Sequence, residues 1–342
     1  MKRFFIGVLL FMLLLLALGG CETKPVRFQS VDTAMGTVIS QQLYSVGQDP
    51  TDGVIDLLRE LERNTLSRRL ESAEVFQINA HAGEGGFPLT DKMGKILTDC
   101  LDVWEKSQGA FDVTICPLTE LWNIDAWAAG ELSGSYEIPG PEEIAHARSL
   151  CGSDKLILRM SENHTAELTL LPGMRIDLGA VGKGIAMDCL RDCLEKQDEI
   201  RAAVITVGGS VLTYGEKPDR TPWRISVTDP FDPSKACGVL TLRGSWCVST
   251  SGDYERYVEI DGRRMHHIID PKTGAPAQSD VRGVTILSRD GFLSDALSTA
   301  CFVLGSEKGL TLAGIYGAEA LFVLSDGTLV MTDGMAEYFE EK

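Results

Sequence analysis

The chain has 342 residues, of which 44% are hydrophobic and 24% are charged. This composition supports a sizeable core and excludes global disorder, and the length suits one large or two ordinary domains. The 49 acidic and 32 basic residues give a net charge of −17, which argues against nucleic-acid binding and against electrostatic docking on anionic lipid. Any phosphate ligand must therefore be held by local features or by a metal.

The first 20 residues have the pattern of a signal peptide. Lys2 and Arg3 form a basic start, an apolar run follows over residues 4–18, and small residues precede Cys21. The pattern predicts a bacterial lipoprotein that is cleaved before Cys21 and lipid-anchored at the outer face of the cytoplasmic membrane. Ordinary secretion with an incidental cysteine is the alternative. Residues 21–27 are then a short tether, and residues 28–342 are expected to form a single domain.

Beyond the tether, the sequence predicts short strands mixed with helices. In chain order we expect a strand (37–44), an amphipathic helix (52–64), a helix from the Thr90 cap to Gln108, a loop (119–141), a hairpin (155–159 and 167–171), a helix (182–195), strands (202–207, 223–228, 238–242, 246–249, 257–260 and 281–287), a helix from the Ser294 cap to Leu304, a helix (307–316) and a closing hairpin (320–324 and 329–332). Many neighbouring strands with short turns indicate an α+β fold, with mainly antiparallel sheets flanked by helices.

Cysteine usage is the next constraint. The eight cysteines after Cys21 are scattered without a CxxC pair, and Cys189 and Cys193 lie four apart on a predicted helix, a spacing poorly suited to a disulfide. Small buried hydrophobic residues are the favoured interpretation. The presence of one or two disulfides is the alternative.

Residues 177–184 read Asp-Leu-Gly-Ala-Val-Gly-Lys-Gly and precede a predicted helix. Glycine lets the backbone approach a phosphate, a helix N-terminus favours anions, and Lys183 adds a positive charge. The spacing matches neither a Walker A loop nor GxGxxG. The residues alone leave two alternatives, a ligand site or an ordinary glycine-rich turn.

Asp295 and Thr299 lie four residues apart on a predicted helix and therefore on one face. A carboxylate and a hydroxyl, joined by a backbone carbonyl from elsewhere, make an oxygen site suited to Mg²⁺, which often shares its coordination shell with substrate phosphates. The alternative is that Asp295 stabilises the helix N-terminus while Thr299 is merely buried.

Residues 265–276 combine imidazoles, a carboxylate, a hydroxyl and a Pro-Gly turn in one segment. Adjacent strand residues face opposite ways, so at most one of His266 and His267 faces a site, and we select His267. Histidine is suited to take a hydroxyl proton near neutral pH. A histidine that packs against a ligand or the core is the alternative.

Two further segments have the character of pocket walls, with ordinary loop residues as the alternative. Residues 109–114 offer an aromatic ring and a carboxylate, and residues 248–256 offer hydroxyls at a strand end. Residues 32–37 place Met35 where it can meet a planar ring, although a methionine at a strand start is more often core.

Taken in order, these segments resemble the ApbE family of FAD:protein FMN transferases over residues 28–335. The resemblance implies an ApbE-like fold with FAD in a cleft between subdomains. It also implies Mg²⁺-dependent transfer of the FMN half of FAD to a Thr or Ser hydroxyl of a target protein, with release of AMP. By matching positions, Asp295, Thr299 and the Ala180 carbonyl would hold the metal, and His267 would stand at the transfer site. The FAD pocket would be lined by Met35, Ala110, Phe111, Asp112, Asp177, Lys183 and Ile269.

One position departs from the family pattern. Many members carry an aromatic residue where this chain has Arg68-Arg69. In the family that position contributes to the flavin pocket. An arginine there would stack on the ring or meet a phosphate instead, so the family's ring contact and FAD affinity are not carried over to this position.

The resemblance also implies partners. The acceptors would be exported subunits of membrane redox complexes that carry a short Asp-x-x-Ser/Thr motif. Two alternatives stay open: a Mg²⁺-dependent FAD pyrophosphatase that releases FMN and AMP, and a non-enzymatic, lipid-anchored flavin-binding protein. An intact metal pair and His267 favour catalysis, since a flavin carrier needs no metal at the pyrophosphate.

Overall fold

The computed structural model describes residues 24–160 and 166–342. The predicted signal peptide, Cys21 and the start of the predicted tether lie outside the described residues. The first described strand begins at Val26 and pairs along its whole length with the next, from Val26 opposite Ser45 to Ala34 opposite Thr37. Among the described residues, no helix combines the length and the apolar character that a membrane span needs.

The described residues form strands in four antiparallel sheets. In chain order the strands are β1 (Val26–Ala34), β2 (Thr37–Ser45), β3 (Gly86–Leu89), β4 (Ile157–Met160), β5 (Ala166–Thr169), β6 (Ile200–Val207), β7 (Ser210–Gly215), β8 (Trp223–Thr228), β9 (Ala236–Leu242), β10 (Trp246–Gly252), β11 (Tyr257–Ile260), β12 (Arg263–His266), β13 (Val281–Ser288), β14 (Glu319–Leu324), β15 (Leu329–Met331) and β16 (Phe339–Glu341). The main sheet has the order β1-β2-β6-β7-β10-β13-β14-β15, and the smaller sheets are β16-β9-β8, β3-β5-β4 and β11-β12.

Helices fill the connections. They are α1 (Thr51–Leu61), α2 (Glu74–Ala80), α3 (Asp91–Lys106), α4 (Cys116–Trp122), α5 (Ile124–Ala128), α6 (Pro141–Ser149), α7 (Gly182–Glu195), α8 (Gly291–Leu304) and α9 (Ser306–Tyr316), with a π-helical turn at Glu62–Leu66 and 3₁₀ turns at Ser153–Lys155 and Met335–Glu337. Helices combined with antiparallel sheets confirm the predicted α+β class.

The main sheet separates two hydrophobic cores, because successive strand residues point to opposite faces. On β10, Cys247 packs with the helix-side core and Val248 with the core of the β16-β9-β8 sheet. On β13, Ile286 and Leu287 divide in the same way. Helices α7 and α8 therefore lie on one face of the sheet, where α7 contacts β6, β7 and β10 and α8 contacts β10 and β13.

The loop predicted over residues 119–141 is wrong in its first part, where α4 ends and α5 follows. The indole N–H of Trp122 donates to the Gly274 carbonyl at 2.7 Å, and Trp122 packs with Leu118 and Ile269 in a third, smaller core. This packing partner lies far along the chain, so the local pattern, with its scattered glycines, did not reveal the helices.

The predicted start of α8 is also wrong. The helix begins at Gly291, and the Asp290 carboxylate caps it by accepting the N–H of Leu293 at 2.8 Å. Ser294 is buried inside the first turns, where its hydroxyl donates to the Gly291 carbonyl at 2.8 Å. Asp295 therefore lies inside the helix rather than at its N-terminus.

Candidate active site

Two adjoining cavities, of about 740 Å³ and 200 Å³, form one cleft. They share Arg68, Asp177, Lys183, Glu255 and Arg256 among their lining residues, so they open into each other. The predicted site residues other than Asp295, which lines neither cavity, are distributed over both. Met35 lines the larger cavity, Asp177 and Lys183 line both, and the smaller cavity is lined by Ala110, Phe111, Asp112, Ala180, His267, Ile269 and Thr299.

Met35 reaches the cleft from a two-residue hairpin turn between β1 and β2. Met35 and Gly36 have φ values of 53° and 67°, and Ala34 pairs directly with Thr37. Positive φ at both central residues is the signature of a type I′ turn, which is unfavourable for methionine. The Glu62 carboxylate accepts the Met35 N–H at 2.9 Å and holds this conformation.

Asp177 binds the backbone on one side and Arg68 on the other. Its Oδ1 accepts the Gly179 N–H at 2.8 Å, and its Oδ2 lies 3.0 Å from Nε of Arg68. The Arg68 guanidinium also donates to Glu120 at 2.9 Å, and Glu120 in turn pairs with Arg175. Arg68 is therefore a partly buried cation in the cleft wall, and the neighbouring carboxylates balance its charge.

Glycine at position 184 brings α7 into backbone contact with α8. A Cβ atom there would clash with the Gly291 carbonyl oxygen and lie 2.8 Å from Cβ of Asp295. This closeness lets the Gly184 N–H donate to Oδ2 of Asp295 at 2.9 Å. The Lys183 ammonium lies 3.3 Å from Oδ1 of the same carboxylate, whose residue is only 1% exposed.

The neighbourhood of Asp295 offers oxygen ligands. Thr299 lies one turn further along α8 and lines the smaller cavity, as does Ala180. The Ser251 hydroxyl lies 3.5 Å from the Thr299 hydroxyl. Among the described residues there is no cluster of three or more His, Cys, Asp or Glu side chains. One carboxylate with hydroxyl and carbonyl oxygens fits Mg²⁺, which needs few protein ligands when phosphates complete its shell, and Oδ1 of Asp295 already faces a cation.

The two adjacent histidines point in different directions. His266 is 5% exposed, its Nε2 lies 2.9 Å from the Ala277 carbonyl, and its ring meets Phe302 edge-on. His267 lines the smaller cavity, and its Nδ1 lies 3.2 Å from the Arg256 carbonyl. Because a carbonyl only accepts, the proton of neutral His267 is on Nδ1, and Nε2 is left with its lone pair.

Burial holds the His267 pKa well below its ordinary value. Desolvation is the main cause, and the nearby Arg256 cation adds to it. The imidazole is thus neutral around pH 7, the state in which it accepts a proton.

The Ala110–Asp112 wall is fixed by a saturated carboxylate. Oδ1 of Asp112 accepts the Thr114 N–H at 2.8 Å, the Thr114 hydroxyl at 2.6 Å and the Ser153 hydroxyl at 2.7 Å, while Oδ2 accepts the Ser153 N–H at 3.0 Å. Both oxygens are therefore engaged within the protein. Asp112 shapes the wall on which Ala110 and Phe111 are presented.

Sequence reasoning identified residues 248–256 as a wall without selecting Glu255 and Arg256, which line both cavities. Burial is the main cause that raises the pKa of Glu255, and it outweighs the opposing effect of Lys183 and Arg256. The Arg256 guanidinium pairs with Asp125 of α5 at 3.0 Å. The only sequence signal for either residue was a run of charges after a strand.

The cleft brings a lysine at a helix start, next to a buried carboxylate, together with a neutral histidine, and such a group of ionisable residues in a cavity is a candidate enzyme active site. Comparison with known proteins identifies the family. The ApbE family model matches residues 35–322, and the chain belongs to this family.

Curated relatives and solved structures agree with this assignment. The FAD:protein FMN transferase of Treponema pallidum is 30% identical over 97% of this chain and 94% of its own, and that of Vibrio cholerae is 28% identical over 95% and 94%. The ApbE protein of Thermotoga maritima superposes with a TM-score of 0.81 at 30% identity, covering 92% of this chain and all of its own. The flavinyl transferase ApbE of Pseudomonas stutzeri superposes with a TM-score of 0.77 at 29% identity, covering 92% and 98%.

Proposed function

We propose that the protein transfers the FMN moiety of FAD to a Thr or Ser hydroxyl of a target protein and releases AMP. The observation that carries this proposal is the meeting of Lys183, Thr299 and His267 on one cavity, which opens into a larger one. The volume of the combined cleft is in the range of ligand pockets, and the relatives found by comparison are named FAD:protein FMN transferases. In the reaction the acceptor oxygen forms a bond to the FMN phosphorus as the bond to AMP breaks.

The proposed metal ligands are Asp295, Thr299 and the Ala180 carbonyl, and the proposed metal is Mg²⁺. This is supported by the burial of Asp295 and by the oxygen character of the donors around it. A bound Mg²⁺ supplies Lewis-acid polarisation of phosphate oxygens. Lys183 lies beside the same carboxylate and adds a second positive charge where negative charge grows on the leaving phosphate.

The proposed flavin pocket is formed by Met35, Asp177 and Lys183 on the side of the larger cavity and by Ala110, Phe111, Asp112 and Ile269 around the smaller one. Rigid walls support this role. The Met35 turn is held by Glu62, the 177–179 turn by Arg68, and the 110–112 loop by Ser153. Such fixed contacts hold a dinucleotide in one geometry, which is the main protein contribution to phosphoryl transfer.

His267 is the proposed general base. Its Nδ1–H is directed at the Arg256 carbonyl, so Nε2 is available to take the proton of the acceptor hydroxyl. The lowered pKa keeps that nitrogen unprotonated at neutral pH. The proton leaves the hydroxyl as its oxygen attacks phosphorus, and the imidazolium can then return it to solvent.

The proposed location is the outer face of the bacterial cytoplasmic membrane, with a lipid anchor at Cys21. The support is the sequence of residues 1–21, which lie outside the described residues. Residues 28–342 are proposed to form one domain, because β1 joins the main sheet beside β2 and the C-terminal β16 pairs with β9. An enzyme anchored there meets exported subunits of membrane redox complexes, the proposed acceptors.

The test is incubation of the detergent-solubilised full-length protein with FAD, Mg²⁺ and a purified exported redox subunit that carries an Asp-x-x-Thr motif, followed by intact-mass analysis. A gain of one FMN on the subunit, lost when its motif Thr is replaced by Ala and lost with EDTA, supports the proposal. FMN and AMP released with an unmodified subunit would show a pyrophosphatase, and bound but intact FAD would show a carrier.

A matched pair of variants tests the metal assignment in the same assay. Asp295→Asn keeps the shape of the side chain but removes its charge, and transfer is expected to fall at least about 100-fold. Asp290→Asn makes the same charge change on the same helix and preserves the cap, so it is expected to stay near wild type. Equal activity of the two variants contradicts the metal site.

A further inference from the structure

Helices α7 and α8 are joined by two carboxylate–amide contacts that run in opposite directions. On α7, Asp188 accepts the N–H of Gly291 through Oδ1 and that of Phe292 through Oδ2, both at 2.8 Å. On α8, Asp295 accepts the N–H of Gly184 at 2.9 Å. Positions 184 and 188, like 291 and 295, are one turn apart, so the contacts occupy consecutive turns of both helices. We call these four residues, Gly184, Asp188, Gly291 and Asp295, the helix clamp.

The clamp leaves no space for the helices to slide. A Cβ atom on Gly291 would clash with the Gly184 carbonyl oxygen and would lie 2.9 Å from Oδ1 of Asp188. The two backbones therefore touch at this point. A displacement of α8 along α7 would break the hydrogen bonds at Asp188 and at Asp295 together.

Asp188 itself is oriented from outside the clamp. Arg191, one turn further along α7, places its guanidinium 2.7 Å from Oδ1 of Asp188 and donates a second hydrogen bond to the Arg289 carbonyl. The start of α8 is thus attached to α7 through both the helix amides and the residue before the cap. Asp188 lines neither cavity of the cleft.

We propose that Asp188 is a positioning residue for the metal site: by binding the first amides of α8, it fixes the rotation of that helix and so directs Asp295 and Thr299 at one point. The first amides of a helix have no partner within the helix. A carboxylate that takes two of them at once defines where the helix starts and how it is turned. Asp295 lies one turn beyond Gly291, so the rotation of the helix also sets the direction of the Asp295 side chain.

The proposal rests on the metal site proposed above, and the test measures metal binding directly. Mn²⁺ is titrated into the detergent-solubilised full-length protein without FAD and followed by the loss of the free-ion electron paramagnetic resonance signal. Asp188→Asn retains one acceptor oxygen but turns an NH₂ group toward the second amide. The Mn²⁺ dissociation constant is expected to rise about 10-fold, the usual effect of losing a residue that orients a ligand, while FAD binding without metal is unchanged.

Three control variants separate positioning from general stability. Arg191→Met removes the ion pair and the hydrogen bond to the Arg289 carbonyl but leaves both amide contacts of Asp188, so Mn²⁺ affinity is expected to fall less than in Asp188→Asn. Leu240→Val weakens the core on the other face of the sheet and is expected to lower the melting temperature without changing Mn²⁺ affinity. Asp295→Asn is expected to abolish binding.

The outcomes are distinguishable. A wild-type protein that binds Mn²⁺ no better than Asp295→Asn overturns the metal site and this proposal with it. Wild-type binding that Asp188→Asn leaves unchanged overturns the positioning role alone. If Asp188→Asn does not fold, Asp188→Glu replaces it. That variant keeps the charge, displaces it by one methylene, and is expected to weaken Mn²⁺ binding in the same direction, whereas unchanged affinity contradicts the proposal.

Discussion

The Lys183 ammonium lies 3.3 Å from Oδ1 of Asp295, while Oδ2 of that carboxylate accepts a backbone N–H from α7. Asp295 is almost fully buried, whereas the Lys183 side chain is 23% exposed and lines both cavities. One cation therefore neutralises a buried carboxylate on one side and faces the ligand space on the other. A metal held by Asp295 would compete with this ammonium for the charge of the carboxylate.

Replacement of Lys183 by Met is expected to affect metal and nucleotide in opposite directions. Without the competing ammonium, Asp295 attracts a divalent ion more strongly, so Mn²⁺ binding in the absence of FAD should tighten, by about 10-fold at most. FAD binding without metal should weaken, because the cleft loses a positive charge. Mn²⁺ titration and quenching of flavin fluorescence measure the two effects, and a weaker Mn²⁺ affinity in Lys183→Met would refute this competition.

His267→Gln is expected to lower transfer by about 100-fold while FAD binding is largely kept. The His267 pKa lies well below its ordinary value of 6.5, so its neutral form persists as the pH falls through 6.5. The wild-type rate should therefore show no loss attributable to His267 until well below that pH. Transfer rates over a pH series measure this. A wild-type rate that declines with a midpoint near 6.5 would contradict the assignment, and loss of FAD binding in the variant would make His267 a packing residue.

The same lowered pKa makes stability depend on pH. Between the folded pKa of His267 and about 6.5, the unfolded chain binds a proton that the folded chain does not. The contribution of His267 to the free energy of unfolding is thus full above pH 6.5 and declines as the pH falls below that value. Melting temperatures of wild type and His267→Gln should converge toward acid pH, and a constant difference between them would argue against this linkage.

Arg68→Ala is expected to weaken FAD binding by about 10-fold, because the variant leaves the Asp177 and Glu120 carboxylates less compensated beside the ligand space. The two contacts of Arg68, at 3.0 Å and 2.9 Å, come from different nitrogen atoms of one planar group. Arg68→Lys keeps the charge but not this fork, so it should restore only part of the affinity. Fluorescence titration with FAD gives the values. Arg69→Ala removes one positive charge at the adjacent position. An equal loss of FAD affinity in that variant would show that FAD binding depends only on the net charge of the cleft.

Asp112→Ala is expected to reduce the free energy of unfolding by about 2–4 kcal/mol, since four hydrogen bonds to a buried carboxylate are lost. Urea unfolding followed by tryptophan fluorescence measures the change. Asp112→Asn retains part of the acceptor capacity and should cost less. FAD binding is expected to weaken in both variants as the 110–112 wall loosens. An Asp112→Ala protein of normal stability but without FAD affinity would instead indicate direct contact between this carboxylate and the ligand.

Local patterns predicted the elements whose signals are local. The bounds of α7, β8 and β11 agree with the sequence prediction, because glycine, apolar periodicity and strand alternation mark them within a few residues. The predicted cap of α8 at Ser294 was wrong because Asp290, an equally good cap, lies one turn earlier. Where two capping residues are spaced by a turn, the pattern does not choose between them.

The long-range contacts of the site had no sequence signal. Arg68 meets Glu120, 52 residues later, and Asp188 meets Gly291 at a separation of 103 residues. A charged residue on a predicted helix, such as Asp188, is interpreted as a solvated surface residue until its partner in the fold is known. The sequence therefore predicted several candidate ligands without predicting the residues that orient them.

The helix clamp has a consequence for the order of events in folding. Its two halves are separated by 103 to 111 residues, so loop-closure entropy opposes their meeting until the strands between them have paired. A chain that emerges from its N-terminus onward has Lys183 and the glycine-rich turn long before it has Asp295. The proposed metal site is thus completed late and in one step, and incomplete chains have Lys183 and its turn without the carboxylate that they meet in the folded protein.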